Sequence, residues 1–334
     1  MSNLSLLAME HLRRRDELSG RVARNAARLW RSIESADIDT GWDRIAPQLE
    51  RVVTVGQFRA AAMAPRYTAA ALAEQGATGA SGLIVASAFT GVTLEGLEVV
   101  PELYAAATTT KRLIGRGVGV GKAFQVGTAL MSLITSQLVR DAGNMADKVS
   151  SVSRGTVQMA RVLSPGACSR CAILAGVGNF SRHFERHPGC KCTTVPVRNG
   201  EGAPKGIHAS AGEYFNSLSK SEQDRIFTKA GAESIRLGAS ESSVVNARAG
   251  MFRVRQEGSL VARATPRTLR GPDGKPFQAY TTTVNRMKSG SSYRVDGSRR
   301  SSSVRLMPET ILELAGGDPV KAKALLRQYG YLPS

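Results

Sequence analysis

Cys168-Ser-Arg-Cys171 is followed by His187-Pro-Gly-Cys190-Lys-Cys192, a C-x2-C-x15-H-x2-C-x-C pattern that gathers every cysteine of a 334-residue chain into 25 positions. Two of the four histidines, His183 and His187, lie in the same stretch. Thiolate and imidazole are the ligands Zn²⁺ prefers, and a C-x2-C knuckle followed by a second short ligand pair can close a tetrahedral site. Five candidates compete for four positions. Cys168, Cys171 and His187 lead, with the fourth ligand drawn from Cys190 or Cys192. A set of all four thiolates with His187 outside the coordination sphere is the alternative, and His183 is a substitute. Pro165-Gly166 and Pro188-Gly189 predict tight turns that aim these side chains inward.

Other chemistry for the cluster is weighed against its surroundings. Two disulfides would suit a secreted chain, but Met1 to Arg15 runs from a short apolar stretch into Arg13-Arg14-Arg15, the reverse of a secretory signal. A catalytic zinc keeps an open position, whereas five crowded ligands without an HExxH helix favour a closed, structural ion. A metal nuclease needs acidic or histidine ligands, and Glu185 is the one acid between residues 160 and 200. For nucleophilic catalysis, His208 beside Ser210 is the pair outside the metal region. Triads are defined in space, so adjacency in sequence says little.

The elements that must position this cluster read as mainly helical. Leu18, Val22, Ala26, Leu29 and Ile33 make an apolar stripe on a first helix that also carries His11, with Arg21, Arg24, Arg28 and Arg31 on its other faces. Thr40 and Asp43 resemble a capping box for a second helix through Trp42, Ile45, Leu49 and Val53, which Pro65 kinks or ends. Leu83 to Phe89 fits helix or strand. Gly115, Gly117, Gly119 and Gly121 before Lys122 miss the P-loop spacing and read as a connection between helices. The longest uncharged stretch, Ala123 to Val139, suits a helix in a core or an oligomer interface better than a bilayer span.

Beyond the cysteines, Glu213 to Leu237 predicts a helix with Ser219 and Glu222 as a capping box, Gly238 as its stop and a short helix over Ser240 to Arg248. From 263 to 305 ten Arg and Lys face two Asp, which predicts an extended arm, with hairpin character near Phe277 to Val284. Pro308-Glu309 and Asp318-Pro319 open two terminal helices ended by Gly316-Gly317 and Gly330. Lys321, Lys323 and Arg327 would suit phosphate contacts were this pair a helix-turn-helix.

The fold expected is therefore mainly α. It comprises a helical N-terminal assembly domain (1–160), a small zinc-stabilised α+β module with its following helices (161–260), a basic arm (261–305) and a C-terminal helical pair (306–334). Lys and Arg outnumber Asp and Glu by 45 to 27, a formal charge of +18 that favours anionic partners, nucleic acid first, or acidic surfaces in a large assembly. Aromatics are 5% of the chain, which argues against stacking recognition of single-stranded bases.

Cys168-x-x-Cys171-x-x-Leu174-x-Gly176, then His187-Pro188-x-Cys190-x-Cys192 with Pro196 after it, resembles the MuF-like head-morphogenesis minor capsid family of tailed phages, in its actinobacteriophage form. Tyr214-Phe215-x-x-Leu218-Ser219, Glu222 to Ala232, Val244 to Arg248, Pro308-Glu309-x-Ile311 and Leu325-Leu326-Arg327-x-Tyr329-Gly330-Tyr331 extend the likeness. The N-terminal part matches in helical character and at scattered positions such as Trp42 and Gln57. The resemblance implies a virion component at the portal, serving head assembly and DNA packaging or ejection. Its implied partners are portal and capsid proteins and packaged DNA contacted without sequence preference. It implies assembly in the host cytoplasm, no membrane in the finished head, and room for oligomerisation. Related genes are sometimes labelled capsid maturation proteases, which makes a head protease the alternative function.

Overall fold

The computed structural model describes residues 2–77, 82–179, 187, 189–249, 264–270, 276–282 and 303–332. It is mainly helical with small antiparallel sheets, as the periodicity predicts. By internal contacts the chain divides into two compact units, 1–167 with 174–210, and 168–173 with 211–334.

The first unit is built on long helices: α1 (Asn3–Arg31), α2 (Ile38–Ala62), α3 (Ala64–Ala73), α4 (Val99–Gly115) and α5 (Val120–Val152). The apolar stripe of α1 supplies Leu18, Val22, Ala26 and Trp30 to a core shared with Ile45, Leu49 and Val53 of α2, Leu103 of α4 and Met131 and Leu138 of α5. The capping residue of α2 is Asp37, whose carboxylate accepts from the Thr40 backbone N–H at 3.0 Å, three residues before the Thr40 expected from the sequence. Pro65 falls in the first turn of α3, where its missing N–H costs nothing. The ambiguous segment before α4 is neither α-helix nor strand; Ala86–Phe89 makes one 3-10 turn. Buried Gln57 fixes the following loop from both sides of its amide, donating to the Val92 carbonyl and accepting from Gly91 N–H, each at 2.8 Å.

A three-stranded antiparallel sheet, order β2-β1-β3, follows α5, with β1 (Gln158–Val162), β2 (Val177–Asn179) and β3 (Thr193–Val197). Its Ala160, Val162, Val195 and Val197 bury against Leu4 and Ala8 of α1 and Tyr67 and Ala71 of α3.

In the second unit the single helix expected over 213–237 is three: α7 (Ala211–Ser217), α8 (Lys220–Phe227) and α9 (Lys229–Arg236); α6 (Ser169–Ala172) belongs to the same unit. The Ser219–Glu222 capping box is present and opens α8. Thr228 causes the second break. It takes a positive φ of 66°, costly for a β-branched residue, while its hydroxyl caps α9 by accepting from Gly231 N–H. Then come α10 (Glu241–Ala249), a three-stranded sheet of β4 (Ala264–Arg270), β5 (Pro276–Thr282) and β6 (Ser303–Arg305), and the expected terminal pair α11 (Pro308–Ala315) and α12 (Pro319–Gln328). Where it is described, the basic arm is thus paired into a sheet, with β4 and β5 in register from Ala264 opposite Thr282 to Arg270 opposite Pro276.

Two helical glycines make opposite predictions. A Cβ on Gly56 of α2 would lie 2.7 Å from Val22 Cγ2 and 2.9 Å from Val139 Cγ2, both stiff buried side chains, whereas one on Gly20 of α1 would meet nothing closer than Arg24 at 3.4 Å. Gly56→Ala should lower the melting temperature, since overpacking costs about 1–3 kcal/mol and outweighs the helix-propensity gain. Gly20→Ala should raise it through a propensity gain of up to about 1 kcal/mol. Equal responses in thermal unfolding would refute the close packing at Gly56.

Candidate metal centre

Strand register brings the ligands together. Val162, the last residue of β1, lies opposite Thr193, the first of β3, and β2 begins at Val177 opposite Ala160. The β1–β2 connection, which carries Cys168 and Cys171, therefore leaves from the end of the sheet at which Cys192 enters β3. On the knuckle, Cys168 precedes the single turn of α6 and Cys171 lies within it, and the Ala172 N–H bonds back to the Cys168 carbonyl at 3.0 Å. Gly166 and Gly189 take φ of +69° and +78°, the left-handed conformation that the two Pro-Gly turns were expected to need. The Cys190 N–H closes the second turn on the His187 carbonyl at 3.0 Å.

Two groups of potential ligand atoms result, Cys168 with Cys171 and His187, and Cys171 with Cys190 and Cys192, each with its atoms within 4.8 Å of one another. Cys171 belongs to both. Three of the thiols, Cys171, Cys190 and Cys192, are buried at 2–4% exposure, Cys168 lies at the surface, and His187 is half-buried. None of the four cysteines is joined in a disulfide. Thiolate and imidazole are ligands that could hold a metal ion. His183 lies outside the described residues.

The loop bearing the second ligand pair is fastened to polar residues of α1 and α5. Gln137 accepts from Gly189 N–H at 3.1 Å and donates to Asp141 at 2.9 Å. Asp16 takes Lys191 on one oxygen at 2.9 Å and Arg140 on the other at 2.7 Å. Burial pushes the Asp16 carboxyl up, but the bonds from Lys191 and Arg140 prevail and hold it below the usual range. Next to Cys192, Thr193 accepts from Arg15 at 3.2 Å.

Arg15 anchors a buried charge network that the sequence reading missed, because it placed this end of α1 in a basic run on the surface. Its guanidinium pairs with Asp147 and bonds to the Asn144 side chain, while the His11 Nε2 lies 3.0 Å from Asp147 Oδ2. Arg15, His11 and Asp147 are 3%, 6% and 1% exposed. The His11 ring stacks on Tyr67 at 3.7 Å between centroids, 5° from parallel. The Tyr67 hydroxyl is spent on the Thr194 carbonyl at 2.8 Å. Burial lowers the His11 pKa, and although Asp147 opposes this, the Arg15 charge adds to it, so the imidazole is held neutral. For Asp147, burial works upward, but Arg15 and His11 outweigh it and keep the carboxylate ionised. A histidine that contacts a carboxylate, a guanidinium and an occupied phenol is a packing group, and no nucleophile–base pair is formed there. His208 is half-buried and Ser210 exposed on the segment leading into α7.

No helix among the described residues is long and apolar enough to cross a membrane. Comparison with protein-family models, with curated proteins and with solved structures finds no match.

Two predictions follow from the buried network. Asp147→Asn leaves Arg15 buried without its counter-ion and should cost about 3–5 kcal/mol, whereas the combined Arg15→Met, Asp147→Leu chain should be more stable than Asp147→Asn alone. Denaturant unfolding of both variants checks this, and an additive double variant would count against a buried pair. Because folding lowers the His11 pKa, the unfolded chain binds more protons below about pH 6.5. Stability should be full above that pH and fall as pH drops beneath it. The readout is the difference between parent and His11→Asn, whose profile should be flatter between about pH 5 and 7.

Proposed function

We propose that this chain is a portal-associated minor capsid protein of a tailed phage, in which one structural zinc fixes the Cys/His module while the helical unit serves assembly of the head. What supports the reading is that the residues that carry the MuF-like resemblance form two groups of potential ligand atoms, Cys168 with Cys171 and His187, and Cys171 with Cys190 and Cys192, that share Cys171. Zn²⁺ suits a donor set of thiolates and imidazole, and the loops that bear it have little apolar surface to bury, so ligation supplies folding free energy on the order of 10 kcal/mol. Cys171, common to both ligand groups, is the central ligand. Its partners within the virion are the portal, neighbouring capsid proteins and the packaged DNA, and self-association at the portal would follow the symmetry there.

Purified protein should contain about one zinc per chain. Cys171→Ser should lose it together with local folding, and Cys190→Ser and Cys192→Ser should differ, separating the ligand from the spare thiol. Coexpression with the portal and major capsid protein, followed by affinity capture and cryo-EM of assembled heads, tests the assembly role: density for this chain at the portal vertex is expected. A zinc-free but folded protein would overturn the metal assignment, and heads lacking the chain at the portal would overturn the function.

A further inference from the structure

Helices α1 and α2 run antiparallel, since Gly56 meets Val22 and Gly41 meets Ile33 across their interface. Their outer surface forms a groove of about 550 Å³. Arg28 of α1 and Arg51 of α2 line it, with Asn25, Ser32 and Gln48 among its other polar residues, and none of its lining residues is acidic. The Arg28 guanidinium donates to the Asn25 side-chain oxygen, so no carboxylate offsets its charge, and an anion seated there would. The groove continues a charged stripe. Arg21, Arg24, Arg28 and Arg31 recur at three- and four-residue intervals on the side of α1 opposite Val22, Ala26 and Trp30, and all four are exposed. No acidic residue occurs between Glu17 and Glu34. Among the described residues none of these four forms an ion pair, whereas Arg13 and Arg14, about two turns earlier, are tied to Glu10.

We propose that the α1–α2 groove with its arginine stripe is a binding site for the phosphate backbone of duplex DNA. The side chains that line the groove offer forked guanidiniums and amide N–H donors, the groups that match phosphate oxygens. Spacing favours a polyphosphate over an acidic protein surface. The stripe rises over about 15 Å of helix, and each DNA strand carries roughly four phosphates along that length. No aromatic side chain lines the groove, so the contact reads charge and not base sequence. The site rests on the proposed function only in supplying DNA as the polyanion at hand; its geometry is independent of the metal cluster.

The test is fluorescence anisotropy of a labelled random-sequence duplex titrated with the full-length, zinc-loaded chain between about 50 and 200 mM salt. The double variant Arg28→Ala, Arg51→Ala should bind about tenfold more weakly, and its slope of log affinity against log salt should shrink by about 1.8, at 0.9 per lost phosphate contact. Arg28→Lys, Arg51→Lys should recover most of the affinity, and Arg13→Ala, Arg14→Ala should leave affinity and slope unchanged. Unfolding midpoints equal to the parent's exclude a folding defect. An unchanged slope in the Arg28→Ala, Arg51→Ala chain would overturn the site, and so would tighter binding of polyglutamate than of DNA at the same groove. Portal capture measured on the same preparations separates the two ideas. Capture with no groove-dependent DNA binding removes this site and leaves the assembly role, and the converse removes the assembly role alone.

Discussion

Arg15 and Asp147 meet where neither can be solvated, and their pairing ties together α1, α5 and the start of β3. A buried ion pair of this kind adds little net stability over apolar packing, but it is strict about partners, because any arrangement that separates the charges strands one of them in a low-dielectric interior. Asn144, His11 and Thr193 complete it, so the register of β3 against the helices is fixed by hydrogen bonds at the residue that follows Cys192. The position of the second pair of sulfur ligands is thereby inherited from the helical core.

That dependence gives the metal cluster its character. Three of its thiols are buried, its loop is fastened by Gln137, Asp16 and Arg15, and its first pair flanks and enters a single helical turn. Ligands placed in advance by their supporting hydrogen bonds lose less entropy when they close on an ion. Cys171 is shared by the two ligand groups, which joins them into one cluster of five potential donors.

Charge is segregated in the same unit. Acidic residues meet cations beneath the ligand loop, at the buried pair around Asp147 and the bridge through Asp16, and at the surface around Glu10 and Asp39. The outer side of α1 beyond Glu17 is left with arginines alone. One helix thus carries an apolar stripe inward, a polar anchor at its N-terminal half and a basic stripe outward, each at the spacing that a 3.6-residue repeat allows.

Much was legible in the residues themselves. The Leu18–Ile33 stripe, the Ser219–Glu222 box, the Asp318-Pro319 start with its Gly330 stop, and the clustering of five potential metal ligands depend on short-range stereochemistry, which sequence spacing encodes directly. The division of 211–236 into three helices was hidden, because a positive φ at Thr228 is tolerated only through its own cap on Gly231. His11, Arg15 and Asp147 were hidden more deeply. A charged residue reads as surface unless its partner is known, and the partner lies 132 residues away. Sequence alone determined the helical class, the local caps and the identity of the candidate ligands, since each follows from chemistry within a few residues. Only the tertiary structure decided which charges are buried and which thiols meet, because burial and encounter are set by how distant segments pack.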